Sequence, residues 1–418
     1  MGFETVRGRG EAEVAATEVA AKLQRAGYQA YFAGGCVRDR ILDLSPEDFD
    51  VATSALPEDV RAVFPRAHGV GEFFGVMLVH NNGWPIQVAT FRTEGPYTDH
   101  RRPDHVEAAT LEDDAARRDF TINGMYWDPV AKTLVDPWGG EADLEAGIIR
   151  AIRDPEERLS EDHLRMLRAV RFAARLSFRI DPETAAAITK HADALAGISR
   201  ERIGEEIRRM FLDDHRDVAA THLEDLGLAR SVLGESATEW TGPRHLAAIP
   251  EGLDREDYPV ALAAWAIDRT GGRDVAPAEV AAAWRDALVL SNSDRNGLHD
   301  LLSIWQQIPD AWADLGVAKQ KRLAARPGFS AMLNLLGVDA VDAVEVISAR
   351  VTELSADELA PEPLLRGASL LEAGFQAGPQ FSQIIEMVYD AQLEGRVETA
   401  EEALALAREI WPKVDPAG

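Results

Sequence analysis

Apolar positions between residues 11 and 26 recur at helical spacing. Ala12, Ala15, Val19, Leu23 and Ala26 fall along one side, which predicts an amphipathic helix ending at Gly27. The period then shortens. Tyr28–Ala33 reads as a strand leading into Gly34-Gly35, Arg38–Leu42 as the start of a helical turn, Asp48–Ala52 as the next strand, and Pro57–Phe64 as a short helix. Val76–His80 and Pro85–Phe91 alternate on either side of Asn81-Asn82-Gly83-Trp84, the pattern of a β-hairpin. Thr93–Asp104, rich in Gly, Pro, Asp and Arg, reads as a mobile loop. Asp113–Met125 reads as helical. Thr133-Leu134-Val135 and Ile148–Ile152 read as strands flanking Asp136-Pro137-Trp138-Gly139-Gly140.

Beyond about residue 155 strand signals vanish, and apolar residues follow a 3.6-residue period to the C-terminus. The pattern is that of an α/β head followed by a long helical body. Breaks are expected near Gly234–Pro250, at Gly271-Gly272 and at Asp357–Pro363. No repeat of fixed period and no low-complexity tract interrupts it.

Length and composition narrow the reading. With 418 residues the chain exceeds one ordinary domain, and 46% hydrophobic content can fill real cores. The single cysteine, Cys36, excludes an intramolecular disulfide and argues against a cysteine-based zinc site. Residues 1–26 carry acids throughout and lack an apolar signal region, and no run approaches a membrane span. A soluble, cytoplasmic protein is therefore expected.

The net charge of -27 argues against a nucleic-acid partner, because an acidic surface repels phosphate. Its distribution changes that picture. Residues 149–209 carry 13 Lys+Arg against 11 Asp+Glu, whereas residues 339–418 carry 5 against 16. Arg outnumbers Lys by 38 to 6, and Arg is the better bidentate partner for phosphate and base edges. A general acidic surface bias remains the plain alternative.

Candidate chemistry begins at Gly34-Gly35-Cys36-Val37-Arg38-Asp39, followed after a spacer by Asp48-Phe49-Asp50-Val51-Ala52-Thr53. Glycines without Cβ allow backbone N–H groups to approach a phosphate. On a strand Asp48 and Asp50 project to one side with Phe49 behind them. Two converging carboxylates repel unless a cation lies between them, and their hard oxygens suit Mg²⁺. Either element alone is weak; the ordered combination is specific for a metal-dependent nucleotide site.

Arg117-Arg118 on the predicted helix is a second candidate. Arg118 and Thr121 would share a face, able to meet a triphosphate; a solvated Arg pair is the alternative. A third begins at Ser160, a plausible N-cap. On the helix that follows, Met166, Leu167, Val170, Ala173 and Ala174 form an apolar arc. Arg165, Arg168, Arg171 and Arg175 line the opposite arc, with Asp162 at the border. Asp162 and Arg165 offer an acceptor and a fork of donors to a base edge, or form an ordinary i,i+3 ion pair.

These segments, in this order, resemble the class II tRNA nucleotidyltransferases: the CCA-adding enzymes and their bacterial poly(A) polymerase relatives. The likeness spans roughly residues 28–212, and Gly367–Leu406 with Ala377-Gly378-Pro379 resembles the family's tail more weakly. It implies an α+β fold, a polymerase-β-like nucleotidyltransferase head with a small mixed sheet (1–153). A helical neck (154–212), body (213–335) and tail (336–418) would follow and grip tRNA. It further implies that Gly34, Gly35 and Arg38 bind the incoming nucleotide and that Asp48 and Asp50 are catalytic and hold Mg²⁺. Arg118 would contact the triphosphate. Asp162 and Arg165 would act as a protein template for C and A, with Arg168 and Arg171 in support.

The implied activity is template-independent addition of CMP and AMP, from CTP and ATP, to the 3′ end of tRNA. No membrane or DNA partner is implied, and the oligomeric state is left open. A poly(A) polymerase, a specialist adding part of CCA, and a catalytically silent RNA-binding relative remain alternatives. Thr93–Asp104, with Arg101-Arg102-Pro103, resembles the family's flexible loop and argues against CC-only addition. Gly71-Glu72-Phe73-Phe74 lacks the basic run of a poly(A) polymerase. Two residues depart from the pattern: Asp43 replaces a usual Gly, and Gln87 stands where superfamily members often carry a third carboxylate.

Overall fold

In the computed structural model, residues 2–46, 48–71, 75–94, 106–235, 240–270, 276–308, 312–355 and 358–414 are described. The chain divides into two compact units: residues 1–237 with 286–289, and residues 238–285 with 290–418.

Helix α1 (Gly2–Arg25) opens the first unit, longer at its N-terminus than the apolar pattern predicts. Its Ala15, Ala16, Val19, Ala20 and Leu23 are fully buried. The three alanines let the helix lie close against the sheet, while Val19 and Leu23 fill the space between. After β1 (Ala30–Ala33) comes α2 (Gly35–Ile41), then β2 (Val51–Thr53), α3 (Pro57–Val63), β3 (His68–Gly71), β4 (Val76–Asn81) and β5 (Trp84–Thr90). The predicted hairpin is present. Asn82 and Gly83 have φ of 51° and 86°, the two positive values that a tight two-residue turn demands.

Next come β6 (Arg92–Glu94), β7 (Val106–Ala108), α4 (Leu111–Ala116), β8 (Tyr126–Asp128), β9 (Thr133–Val135), α5 (Gly140–Ala146) and β10 (Ile148–Ile149). Seven strands form one mixed sheet in the order β3-β4-β5-β2-β1-β8-β9. Within this sheet, among the described residues, only β2 and β5 pair in parallel, with Val51 opposite Val88.

The helical part of this unit holds α6 (Pro155–Glu161), α7 (Leu164–Leu176), α8 (Pro182–His191), α9 (Arg200–Phe211), α10 (Arg216–Asp225) and α11 (Leu228–Leu233). It is not wholly helical as expected: β11 (Arg179–Ile180) pairs in parallel with β10. Met166, Leu167, Val170, Ala173 and Ala174 are buried, as their spacing predicts.

The second unit is helical among its described residues. Trp265 packs on Trp284 with ring centroids 5.1 Å apart. Near the C-terminus Leu370, Ile384, Val388, Ala403 and Ala407 close a separate core. Among the described residues no helix is long and apolar enough to cross a membrane.

Candidate active site

The site starts where β1 ends. Gly34 has φ 76° and ψ −132°, a conformation open to glycine and costly for other residues. The N–H groups of Val37 and Arg38 donate to its carbonyl at 3.1 and 3.3 Å and start α2. A Cβ at Gly34 would lie 2.9 Å from Nη1 of Arg118, so its absence also makes room for that guanidinium. Arg38 is buried. It donates from Nε and Nη2 to Asp39 at 2.8 and 2.6 Å, and from Nη1 to the Asn123 side-chain oxygen at 2.8 Å.

Strand β2 begins at Val51, three residues later than expected, so Asp48 and Asp50 stand on the connection before it. The expected alternation survives. Phe49 is buried against Phe32 at 5.4 Å while both aspartates are exposed. The Asp50 carbonyl accepts from Ala33 N–H at 3.1 Å, which fixes this connection beside β1. Although the residue is exposed overall, the surrounding walls partly desolvate the Asp50 carboxyl, and this, then the Asp48 charge, raises its pKa; Arg118 opposes them. The two acids therefore feel each other. Asp43, where the resemblance implies a glycine, takes φ 54°, so this turn keeps a glycine-like backbone without a glycine.

Helix α4 stops at Ala116, not at Met125. Phe120 is extended and bridges Ala151, and only Thr121–Asn123 turns again, as a 3₁₀ helix. The shared face expected for Arg118 and Thr121 does not exist. The Thr121 hydroxyl instead donates to Asp143 at 2.7 Å. Arg118 still faces the site.

The helical wall differs from expectation at its start. Asp162 is extended (φ −143°, ψ 102°) and separates α6 from α7, so Ser160 lies inside α6 and Asp154 caps that helix. An i,i+3 pair between Asp162 and Arg165 therefore does not form. Asp162 accepts from Arg202 at 2.6 Å and from Leu164 N–H at 3.1 Å. Arg165 donates to Glu161 at 2.7 Å and to the carbonyls of Arg158 and Arg117 at 2.8 and 3.1 Å. Arg168 holds Asp119 through two contacts of 2.8 and 2.6 Å, and Arg171 holds Glu206 at 2.7 Å. The Phe172 ring receives the guanidiniums of Arg38, Arg168 and Arg171 at 5.0, 5.3 and 4.5 Å.

Gly34, Gly35, Arg38, Asp50, Arg118, Arg165, Arg168 and Arg171 line one cavity of about 510 Å³. Asp48 and Asp162 lie outside its lining. Gln87 on β5 also lines it, and the pairing of Val51 with Val88 puts this neutral amide in register beside Asp50. Sequence reasoning passed over Asp119, Asn123 and Phe172 as lining residues, and Glu206 behind Arg171. Asp119 was hidden by the continuous-helix reading. Glu206 is about ten helical turns along the chain from Arg171, and no local spacing signals their pairing. The Arg101-Arg102-Pro103 segment and Glu72-Phe73-Phe74 fall outside the described residues.

Residues 30–150 match the poly A polymerase head domain family, and residues 177–238 the probable RNA and SrmB-binding site of polymerase A. The chain is 34% identical over 404 residues to the CCA-adding enzyme of Geobacillus thermodenitrificans, covering 92% of this chain and 93% of that one. The chain belongs to the CCA-adding enzyme family. It is also 30% identical over 410 residues to the CCA-adding enzyme of Lactobacillus johnsonii, covering 94% and 96%. The CCA-adding enzyme of Bacillus stearothermophilus, solved in complex with CTP, superposes with a TM-score of 0.69 at 28% identity over 96% of this chain and 98% of that one. The mixed-sheet head and helical remainder are thus the fold of CCA-adding enzymes.

Membership in this family implies a divalent metal ion. Among the described residues no group of three or more His, Cys, Asp or Glu could hold one. Two exposed carboxylates whose mutual repulsion a cation would relieve do fit such an ion, provided other oxygens complete its shell.

Proposed function

We infer that this chain adds CMP and then AMP to the 3′ end of tRNA, using CTP and ATP and no nucleic-acid template. One observation carries the reading: Asp50, with Asp48 beside it, opens into the same cavity as Arg118 and the arginines of α7. Asp50, Arg118 and the guanidiniums of Arg165, Arg168 and Arg171 share the lining of this cavity, which supports the reading.

Asp48 and Asp50 would hold Mg²⁺, which supplies charge neutralisation at the α-phosphate and a lowered pKa for the terminal 3′ hydroxyl. Gly34 and Gly35 admit the phosphates close to the main chain. Arg118 takes the triphosphate, while Asp162 and Arg165 select the base, with Arg168 and Arg171 supporting. The 3′ hydroxyl gives up its proton to solvent, its oxygen bonds to the α-phosphorus, and the bond to pyrophosphate breaks. The work of the protein is positioning and electrostatics, with no covalent intermediate. Residues 1–153 act as head, 154–212 as neck, 213–335 as body and 336–418 as tail, in a cytoplasmic enzyme.

The test offers CTP and ATP separately and together to tRNA lacking its 3′ end. Two C from CTP alone, and A only after them, are expected. Because the head matches a family described as poly(A) polymerase, the same gel decides the second reading: a long ladder from ATP alone would replace CCA addition. No pyrophosphate release with any divalent metal would leave a silent RNA-binding relative.

A further inference from the structure

Arg118 is held by three residues that carry no role in the family resemblance. Its Nε donates to the Tyr126 hydroxyl at 3.1 Å, Nη2 to Asp114 at 3.2 Å, and Nη1 to the Asn123 carbonyl at 3.3 Å. The Tyr126 hydroxyl donates in turn to the same Asp114 oxygen at 2.6 Å. Tyr126 also offers its ring, 5.0 Å from the guanidinium carbon. On the opposite side Gly34 closes in, as the 2.9 Å clearance for a Cβ shows. Asp114 is 1% exposed and Tyr126 fully buried, so neither can be replaced by water. Three of the five guanidinium donors are thereby used. Among the described residues one N–H on each terminal nitrogen is left for a ligand in the cavity.

We propose that Asp114 and Tyr126 are positioning residues that fix Arg118 in the orientation that receives the triphosphate of either nucleotide. The proposal rests on the reading of Arg118 given above. A flexible arginine loses rotamer freedom when it grips phosphate, whereas one already fixed does not, so preorganisation appears as affinity. Because the triphosphate is common to CTP and ATP, the contribution is blind to the base. This separates it from the role of Asp162 and Arg165.

Asp114 also accepts from Arg92 N–H at 3.2 Å and Arg117 Nε at 2.9 Å, so replacing it disturbs more than Arg118. Tyr126→Phe is the cleaner probe. It removes one hydroxyl and keeps the ring that packs on Tyr31 and Phe91. The KM for CTP on tRNA lacking its 3′ end and the KM for ATP on tRNA ending in CC are expected to rise together. The rise is about ten-fold, the lower end of what one lost hydrogen bond to a charged group costs. Expected alongside are kcat within about two-fold and CMP affinity unchanged, since CMP lacks the β- and γ-phosphates. In an Arg118→Ala background the same change is expected to add nothing. A rise confined to one nucleotide, CMP affinity falling in step with CTP, or full additivity with Arg118→Ala would each overturn the proposal. If the wild-type chain transfers neither nucleotide, the functional reading fails instead, and equilibrium CTP binding across the same variants still decides the role of Tyr126.

Discussion

On the sheet side of the cavity, Asp50 and Gly34 owe their places to the main chain: Ala33 N–H holds the Asp50 carbonyl, and Val37 and Arg38 N–H close onto Gly34. On the helix side, Arg165, Arg168 and Arg171 are each held by a carboxylate, Glu161, Asp119 and Glu206 respectively. Backbone hydrogen bonds do not titrate, and at Asp50 they tolerate side-chain exchange, whereas Gly34 admits no side chain. Ion pairs depend on both partners, and removing one leaves the other uncompensated. The sheet wall should therefore lose chemistry without losing shape, and the helix wall should lose shape and selectivity together.

The largest expected effect lies on the sheet wall. Asp50→Asn should lower single-turnover transfer by about a thousand-fold or more, since the reading gives this carboxylate the metal and the α-phosphate. Thermal stability should hold or rise slightly, because the substitution removes repulsion from Asp48. Wild-type-like incorporation would end the assignment; a collapsed melting curve would end the contrast between the walls.

Asp119→Ala tests the other wall. It strips Arg168 of its carboxylate and Asn123 of an acceptor at 3.0 Å. Breaking a pair of this kind should cost about 2–4 kcal/mol, read by urea unfolding. The pH dependence has a definite sign. Burial raises the Asp119 carboxyl, but Arg168, then Asn123 and Arg165, hold it well below the usual range. A depressed folded-state pKa gives stability that is fully present above the unfolded value of about 4 and is lost as pH falls below it. The wild type should therefore weaken in acid more steeply than the Asp119→Ala variant. Equal acid sensitivity in the two proteins would show that the pair contributes little.

The contrast also explains what was legible beforehand. The helix α1 stripe, the hairpin turn and the buried arc of α7 follow local periods, and all three are present, except that Ala26 falls just beyond α1 and is exposed. Asp48-Phe49-Asp50 was legible as chemistry even though β2 starts later, because alternation persists in extended chain. The run from Asp113 to Met125 was misread. Its periodicity looked helical, yet Phe120 pairs with Ala151, a partner far along the chain that no local pattern announces. The acids that hold the arginine ridge escaped for a related reason. Asp119 and Glu206 lie on segments remote from α7, so the ridge read as a bare phosphate-facing surface. The pairing of Asp162 with Arg202 rather than Arg165 follows from the extended residue between α6 and α7, which helical spacing would not contain.

Arg165→Lys should have a smaller effect that bears on selection. Arg165 donates to two carbonyls and Glu161, so truncation to Ala would confuse recognition with stability. Lysine keeps the charge and loses the planar fork. Discrimination between CTP and ATP, as a ratio of kcat/KM on tRNA ending in CC, should fall by about ten-fold, within the range of one base-edge contact. An unchanged ratio with raised KM for both nucleotides would move Arg165 from base selection to phosphate binding.

The smallest effect is expected at Glu206→Gln, and it decides whether the helix wall is a set of pairs or one network. Glutamine keeps an acceptor for Arg171 Nε and removes only the charge. Arg171 retains a second support, the Phe172 ring 4.5 Å from its guanidinium carbon. If the pairs are independent, stability should fall by about 1 kcal/mol and nucleotide KM should move by no more than about two-fold. Phe172, however, also carries the guanidiniums of Arg38 and Arg168. A displaced Arg171 could push on that shared ring and, through it, on the arginine of the glycine turn. A Glu206→Gln cost as large as that of Asp119→Ala, non-additive with it in the double variant, would show that the ring couples the helix wall to the sheet wall. The two would then be one electrostatic unit, and the division between backbone-set and charge-set sides would hold only for Asp50 and Gly34.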